Sequence, residues 1–218
     1  MSLSHTAIEY AINPDGTRGY NWPIWTGCGQ PLEVCATRSS CWARGLHGRF
    51  GKAGWAKLYN ADFSPRFNLY LLTAPLSIQR PSTILVGFTG DGFGPGTDPD
   101  WVWAVLETVK ATPRHRYIVL TKSPENLAQF NPWPPNALVG GSITGAETHE
   151  RQQAMIAQLA RTEGGKRWIS HEPMLGEVYW TPHLYNIDWL VLGAQSGPGA
   201  VVPALSRINQ VLRLAEIA

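Results

Sequence analysis

The feature that most constrains this chain is a recurring pattern. A short apolar, β-branched run stops abruptly in small and polar residues, and a helical stretch usually follows. Six such runs occur. Residues 20–26 end in Gly27-Cys28, and residues 83–88 end in Thr89-Gly90-Asp91-Gly92. Residues 117–120 end in Thr121-Lys122-Ser123, and residues 137–141 in Ser142-Ile143-Thr144. Residues 167–169 end in Ser170-His171-Glu172, and residues 189–192 in Gly193-Ala194-Gln195-Ser196. Near-continuous apolar runs suit strands covered on both faces, as parallel strands are. Helix starts stand between them: Asp98 before Pro99, Ser123 before Pro124, Thr144 paired with Glu147, and Pro203. Residues 42–58 read as helical but are interrupted by Gly45, Gly48, Gly51 and Gly54, and residues 175–187 carry no clear helix. The expected fold class is α/β, a partial TIM-like (β/α) barrel of about six parallel strands. One domain spans residues 1–218, with 1–19 as an N-terminal extension. Six units also fit a doubly wound open sheet. In both, polar residues at the strand C-termini gather at one mouth.

Composition narrows the class. Charged residues make up 16% of the chain, against roughly 25% in ordinary domains, and 44% hydrophobic residues with ten Trp argue against disorder. A net charge of +2 gives no general push toward nucleic acid or a membrane. No run is long enough to span a bilayer, and the first residues lack the pattern of a signal peptide. The expected location is therefore cytoplasmic, where thiols stay reduced. There, clustered cysteines point to metal or redox work ahead of disulfides.

All three cysteines, Cys28, Cys35 and Cys41, fall in the segment 27–44. Thiolates are soft ligands for zinc or iron–sulfur centres. Three ligands are one short of a closed structural zinc site and leave a metal position open for a substrate or cofactor. The plainer reading is a set of small buried thiols.

The stretch Asn21-Trp22-Pro23-Ile24-Trp25-Thr26-Gly27-Cys28, then six residues, Cys35, five residues and Cys41-Trp42-Ala43-Arg44, resembles the opening of the phage-associated three-cysteine-motif family, which is radical-SAM-like. Further stretches resemble that family in order: Ile84 to Phe93, Leu120-Thr121-Lys122-Ser123-Pro124, Gly140-Gly141-Ser142-Ile143, Ser170-His171-Glu172-Pro173-Met174-Leu175-Gly176, and Asp188-Trp189 through Gly193-Ala194-Gln195-Ser196 to Ala200. Three departures stand out. The gap between Cys35 and Cys41 is three residues longer than the family pattern, Gln195 replaces an acidic residue, and Thr144-Gly145 replaces Glu-Asn.

The resemblance implies a 4Fe-4S iron–sulfur cluster held by Cys28, Cys35 and Cys41. It also implies S-adenosylmethionine on the open iron, and radical chemistry after one-electron reduction by a partner such as flavodoxin or ferredoxin. Trp42 would cover the cluster or the adenine. Thr89, Gly90, Asp91, Ser142, Gln195 and Ser196 would hold the cofactor, while Lys122 and Glu172 would serve catalysis. The substrate is not written in the sequence, and phage association suggests a nucleotide or nucleic acid. Taken residue by residue, Asp91 reads equally as the anchor of an Asx turn, Lys122 as a solvated lysine, and Trp42 as a core aromatic. Glu172 is the strongest acid/base candidate, and His171, on the opposite face of the strand, reads as structural. Two other functions fit the same residues. One is a zinc-holding module in which Arg38, Arg44, Arg49, Lys52 and Lys57, interleaved with Trp42, Phe50, Trp55 and Tyr59, form a single-strand nucleic-acid surface. The other is a degenerate barrel without chemistry.

Overall fold

The structure is a computed structural model that describes residues 3–31, 35, 37, 41–50, 58–180, 183–196 and 199–217. Its strands are β1 (Ser4–His5), β2 (Tyr20–Trp22), β3 (Trp25–Thr26), β4 (Arg66–Phe67), β5 (Thr83–Val86), β6 (Arg116–Thr121), β7 (Trp133–Ser142), β8 (Gly164–His171) and β9 (Trp189–Leu192). Its α-helices are α1 (Trp42–Phe50), α2 (Pro99–Ala111), α3 (His149–Leu159) and α4 (Leu205–Ile217). Seven strands form one open sheet in the order β1-β2-β5-β6-β7-β8-β9, and β3 pairs with β4 alone. Every pairing from β2 to β9 is parallel, and β1 is antiparallel to β2. The six parallel strands follow one another in chain order without reversal. That removes the doubly wound alternative, whose strand order must reverse, and leaves an open sheet of partial-barrel type.

The period-two alternation of each strand divides the core in two. Ile84, Val86, Tyr117, Val119, Ala137, Val139 and Ile169 share a cluster with Val102, Val105, Leu106 and Val109 of α2 and with Met155, Ile156 and Leu159 of α3. Leu85, Ile118 and Trp168 face the other way, joined by Leu120, Leu138, Trp189 and Val191. No helix residue belongs to that second cluster among the described residues. It is covered instead by the N-terminal segment, through Ile8, Tyr10 and Ala11. The Tyr10 ring lies 5.5 Å from Trp189, 5.8 Å from Trp168 and 6.5 Å from Phe88. The strap is pinned where β5 begins, as the Thr83 N–H donates to Asn13 Oδ1 (2.8 Å) and the Thr83 hydroxyl to the Ile12 carbonyl (2.6 Å). The N-terminal extension is thus half of an internal layer, a role its unpatterned sequence does not announce.

Several local expectations are refined. The 20–26 run bends at Pro23, so that Trp25 and Thr26 leave the main sheet and pair with Phe67 and Arg66. Asp98 caps α2, accepting from the Asp100 N–H at 2.9 Å, with Pro99 at the first turn. Thr144 and Glu147 do pair, but in one direction, Glu147 accepting from the Thr144 N–H and hydroxyl, and they clamp a loop. The cap of α3 is Thr148, which accepts from the Arg151 N–H at 3.2 Å. The expected helix after Ser123-Pro124 is two single 3₁₀ turns, Pro124–Asn126 and Ala128–Phe130. The last helix starts at Leu205, two residues beyond Pro203. No described helix is long and apolar enough to cross a membrane.

Trp168 is fully buried, donates to the Val119 carbonyl at 2.9 Å, and lies directly over Gly140. A Cβ at Gly140 would sit 2.3 to 2.6 Å from three atoms of that indole. Gly140→Ala is therefore expected to destabilise the fold by about 1–3 kcal/mol through overpacking, read as a lower denaturation midpoint. Gly140→Ala combined with Trp168→Phe should lose less than the sum of the two single changes.

Candidate functional site

The turns after β3, β5 and β6 meet at one buried carboxylate. Asp91 Oδ1 accepts from the Phe93 N–H (3.1 Å) and the Thr121 hydroxyl (2.7 Å), and Oδ2 accepts from the Lys122 N–H (3.0 Å) and Gln30 Nε2 (3.3 Å). A carboxylate has about four acceptor positions, and here donors of this chain fill them. Gln30 Nε2 reaches Ser123 Oγ as well. Backbone bonds reinforce the junction: Asp91 N–H to Gly27 O at 3.0 Å, Gly27 N–H to Thr89 O at 3.2 Å, and a parallel bridge between Gly27 and Gly90. A side chain at Gly90 would strike Gly27 O at 2.4 Å, so only glycine admits this approach.

Cys28 sits on this junction. Its N–H donates to Phe63 O at 2.9 Å, and its Sγ accepts from the Gln30 N–H at 3.4 Å. Phe63 holds φ at +66°, a left-handed conformation costly for a bulky residue. Burial, followed by the negative charge of Asp91, pushes the Cys28 thiol up to about 12, and Cys35 and Cys41 add to the effect. Both Cys35 and Cys41 thus stand within electrostatic reach of Cys28. Cys35 is buried, with Sγ 3.5 Å from Thr37 Oγ1, and Cys41 is half-buried. Among the described residues no group of three His, Cys, Asp or Glu side chains is close enough to hold a metal ion.

His47 on α1 locks the same turn. It is fully buried, its Nδ1 donates to Asn60 O (3.0 Å), and its Nε2 lies against both the Thr89 carbonyl (3.1 Å) and the Gly27 N–H (3.2 Å). Burial lowers its pKa, and the Asn60 and Thr89 carbonyls work against that shift. Trp42, at the start of α1, is 58% exposed and not a core aromatic. Thr89 is buried and holds Gly27 through its carbonyl. The expected basic positions Arg38, Lys52 and Lys57, with Trp55, Gly51 and Gly54, lie outside the described residues.

Farther along the mouth, Lys122 Nζ donates to Ser142 Oγ at 2.8 Å, bridging the ends of β6 and β7. Glu172 extends from the end of β8 on the strap side, its side chain against Gly193 and its charge felt by Tyr10. Its neighbours bury the carboxyl enough to raise its pKa, and the charge of Glu9 raises it further, although the residue reaches solvent. His171 points the other way, as expected of adjacent strand positions. It is fully buried, with Nδ1 donating to Ile143 O at 2.9 Å. Gln195 Oε1 accepts from the Val201 N–H at 3.1 Å, and Ser196 is exposed. The strand ends therefore form two groups: Asp91, Lys122 and Ser142 beside Cys28, and Glu172 with Glu9 and Tyr10. Gln30, His47, Glu9 and Tyr10 were missed because they lie in turns, a broken helix and the extension, where no strand-end rule selects them.

Residues 6–210 match the family described as "Protein of unknown function (DUF5131)". No curated protein and no solved structure matches the chain.

Two outcomes follow from this geometry. Asp91→Asn turns one acceptor oxygen into a donor facing backbone and hydroxyl donors, and should cost about 1–3 kcal/mol in stability. It should also speed Cys28 alkylation at alkaline pH by removing a negative charge, read by denaturation and by mass-resolved thiol labelling. Glu9→Gln should lower the pKa of Glu172 without restoring it to the ordinary carboxyl value, because burial remains the larger cause. Carbon-detected NMR titration reads this. A raised carboxyl pKa favours the protonated folded state, so the stability it contributes is present in acid and lost as pH rises through the folded pKa.

Proposed function

We propose that this chain, which belongs to the DUF5131 family, is a radical-SAM-like enzyme built around an iron–sulfur centre on Cys28, Cys35 and Cys41. The observation that carries this reading is the position of Cys28. It stands at the C-terminal end of a singly ordered parallel sheet, against a buried carboxylate, with both other thiols close enough to shift its pKa. The collinear resemblance to the phage-associated three-cysteine family supports it independently.

The donor set fits such a centre: three soft thiols, with the one adjacent carboxylate already committed to protein donors. Placing three sulfurs on a single centre requires Cys28, Cys35 and Cys41 to approach one another, so metal loading is coupled to a local rearrangement of these residues. Loading must also displace the proton from Cys28, so the apparent affinity rises with pH. When bound, the cluster with S-adenosylmethionine would supply one-electron cleavage of a carbon–sulfur bond, with electrons from a small carrier of the flavodoxin or ferredoxin type.

The residues around it have separable tasks. Asp91 and Gln30 hold the Cys28 turn to β6. Lys122, steadied by Ser142, retains two ammonium N–H groups for a carboxylate or phosphate at the mouth. Glu172 keeps its proton to a higher pH than an ordinary glutamate, which suits it to hold or pass a proton there. A nucleotide or nucleic-acid base is the proposed substrate class.

Anaerobic reconstitution with iron and sulfide, followed by metal and acid-labile sulfide analysis, tests the centre. Wild type should bind both, and Cys28→Ser, Cys35→Ser and Cys41→Ser should each lose most of them. Stoichiometric zinc with no sulfide would overturn it. Glu172→Gln should keep wild-type iron content and S-adenosylmethionine binding while losing turnover. Unchanged turnover would remove Glu172 from the chemistry.

A further inference from the structure

The opposite end of the sheet carries a second concave site. A cavity of about 430 Å³ is lined by Ile12, Asn13, Pro14, Ser82, Thr83, Arg114 and Arg116. It lies where β5 and β6 begin, whereas the cysteine turn lies where they end.

The two arginines are fixed in place by the backbone. Arg114 Nε donates to Ile78 O (3.0 Å) and its Nη2 to Leu76 O (3.1 Å). Arg116 Nη2 donates to Ile12 O (3.1 Å) and to Thr83 Oγ1 (3.0 Å). A guanidinium has five N–H donors, so each keeps about three unspent. Anchored in this way, neither side chain has much rotamer freedom left to lose on binding.

Neither charge is neutralised. The ion pairs among the described residues are Arg80–Asp15, Lys110–Glu107, Arg151–Glu125 and Arg167–Asp188, and none includes Arg114 or Arg116. Asp15, next to Pro14 in sequence, is already held by the Thr17 N–H and hydroxyl and by Arg80. The positive field is felt locally: the pKa of buried His115 is lowered by desolvation and then by Arg114. Two fixed guanidiniums in one cavity hold more free donors than the two oxygens of a carboxylate can use, and they match the three terminal oxygens of a phosphate monoester. Ile12 and Pro14 add apolar wall beside them.

We infer that the cavity between Arg114 and Arg116 is a binding site for a phosphate monoester, separate from the cysteine mouth. The phosphate belongs either to a free nucleotide or to the 5′ end of a nucleic-acid strand.

Calorimetric titration of the full chain with inorganic phosphate, adenosine 5′-monophosphate and adenosine tests this. A short single strand with and without a 5′-phosphate is titrated alongside. Phosphate and the monophosphate should bind, more weakly at high salt, and adenosine should not. Preference for the 5′-phosphorylated strand over its 5′-hydroxyl form assigns the site to strand ends. Binding of the monophosphate with no such preference assigns it to free nucleotides. Ile12→Glu, which adds a carboxylate at the rim and leaves both guanidiniums and the Ile12 carbonyl in place, should weaken the monophosphate about tenfold or more, with an unchanged melting temperature. Arg114→Gln should do the same with its own stability measured alongside. Failure of phosphate and the monophosphate to bind, or equal binding by wild type and Ile12→Glu, would overturn the inference.

Discussion

The candidate site depends on one buried carboxylate. Asp91 collects donors from the turn after β5, from the end of β6 and from the cysteine segment. Each unpaired donor would otherwise be stranded away from water, at about 1–3 kcal/mol. Register between these turns is therefore specified, and with it the position of Cys28. The same charge, placed beside a desolvated thiol, keeps that thiol protonated. A bound cation at the cysteines would find in Asp91 a favourable neighbour instead of a repulsive one. One group thus sets the geometry around Cys28 and adds to the proton cost that burial already imposes on its thiol.

The second constraint is the strap. An open parallel sheet exposes its helix-free face unless something covers it, and the chain uses its own residues 8–11. The covering is aromatic: Tyr10 packs edge-on to Trp189, which in turn packs on Trp168. Because the strap runs from the neighbourhood of Glu172 down to Asn13 and Thr83, it connects the mouth with the arginine cavity at the other end. Glu9 raises the pKa of Glu172 from that strap, and Ile12 and Asn13 line the cavity. Both candidate sites are therefore bordered by one short piece of extended chain.

The mouth is divided. Lys122 and Ser142 belong with the Asp91 junction, whereas Glu172 belongs with the strap. A cationic group and a carboxyl with a raised pKa thus stand at different strand ends. Beyond β9, Gln195 Oε1 accepts from the Val201 N–H.

The sequence by itself determined the six parallel strands and their polar ends. Strands buried on both faces must be written as near-continuous apolar runs, and those runs are legible in a single chain. It also determined that Cys28 stands just beyond a strand, and that His171 and Glu172 face opposite ways, because side chains alternate along a strand. Tertiary structure alone decided the sequential order of those strands, since period-two patterning is the same for a singly and a doubly wound sheet. It alone decided that Asp91 is filled by donors from three segments, that Gln30 and His47 are parts of the junction, and that residues 8–11 line the sheet. Those facts depend on which distant turns meet, and a hydrogen bond between residues 61 positions apart, as between Gln30 and Asp91, leaves no local pattern in either stretch.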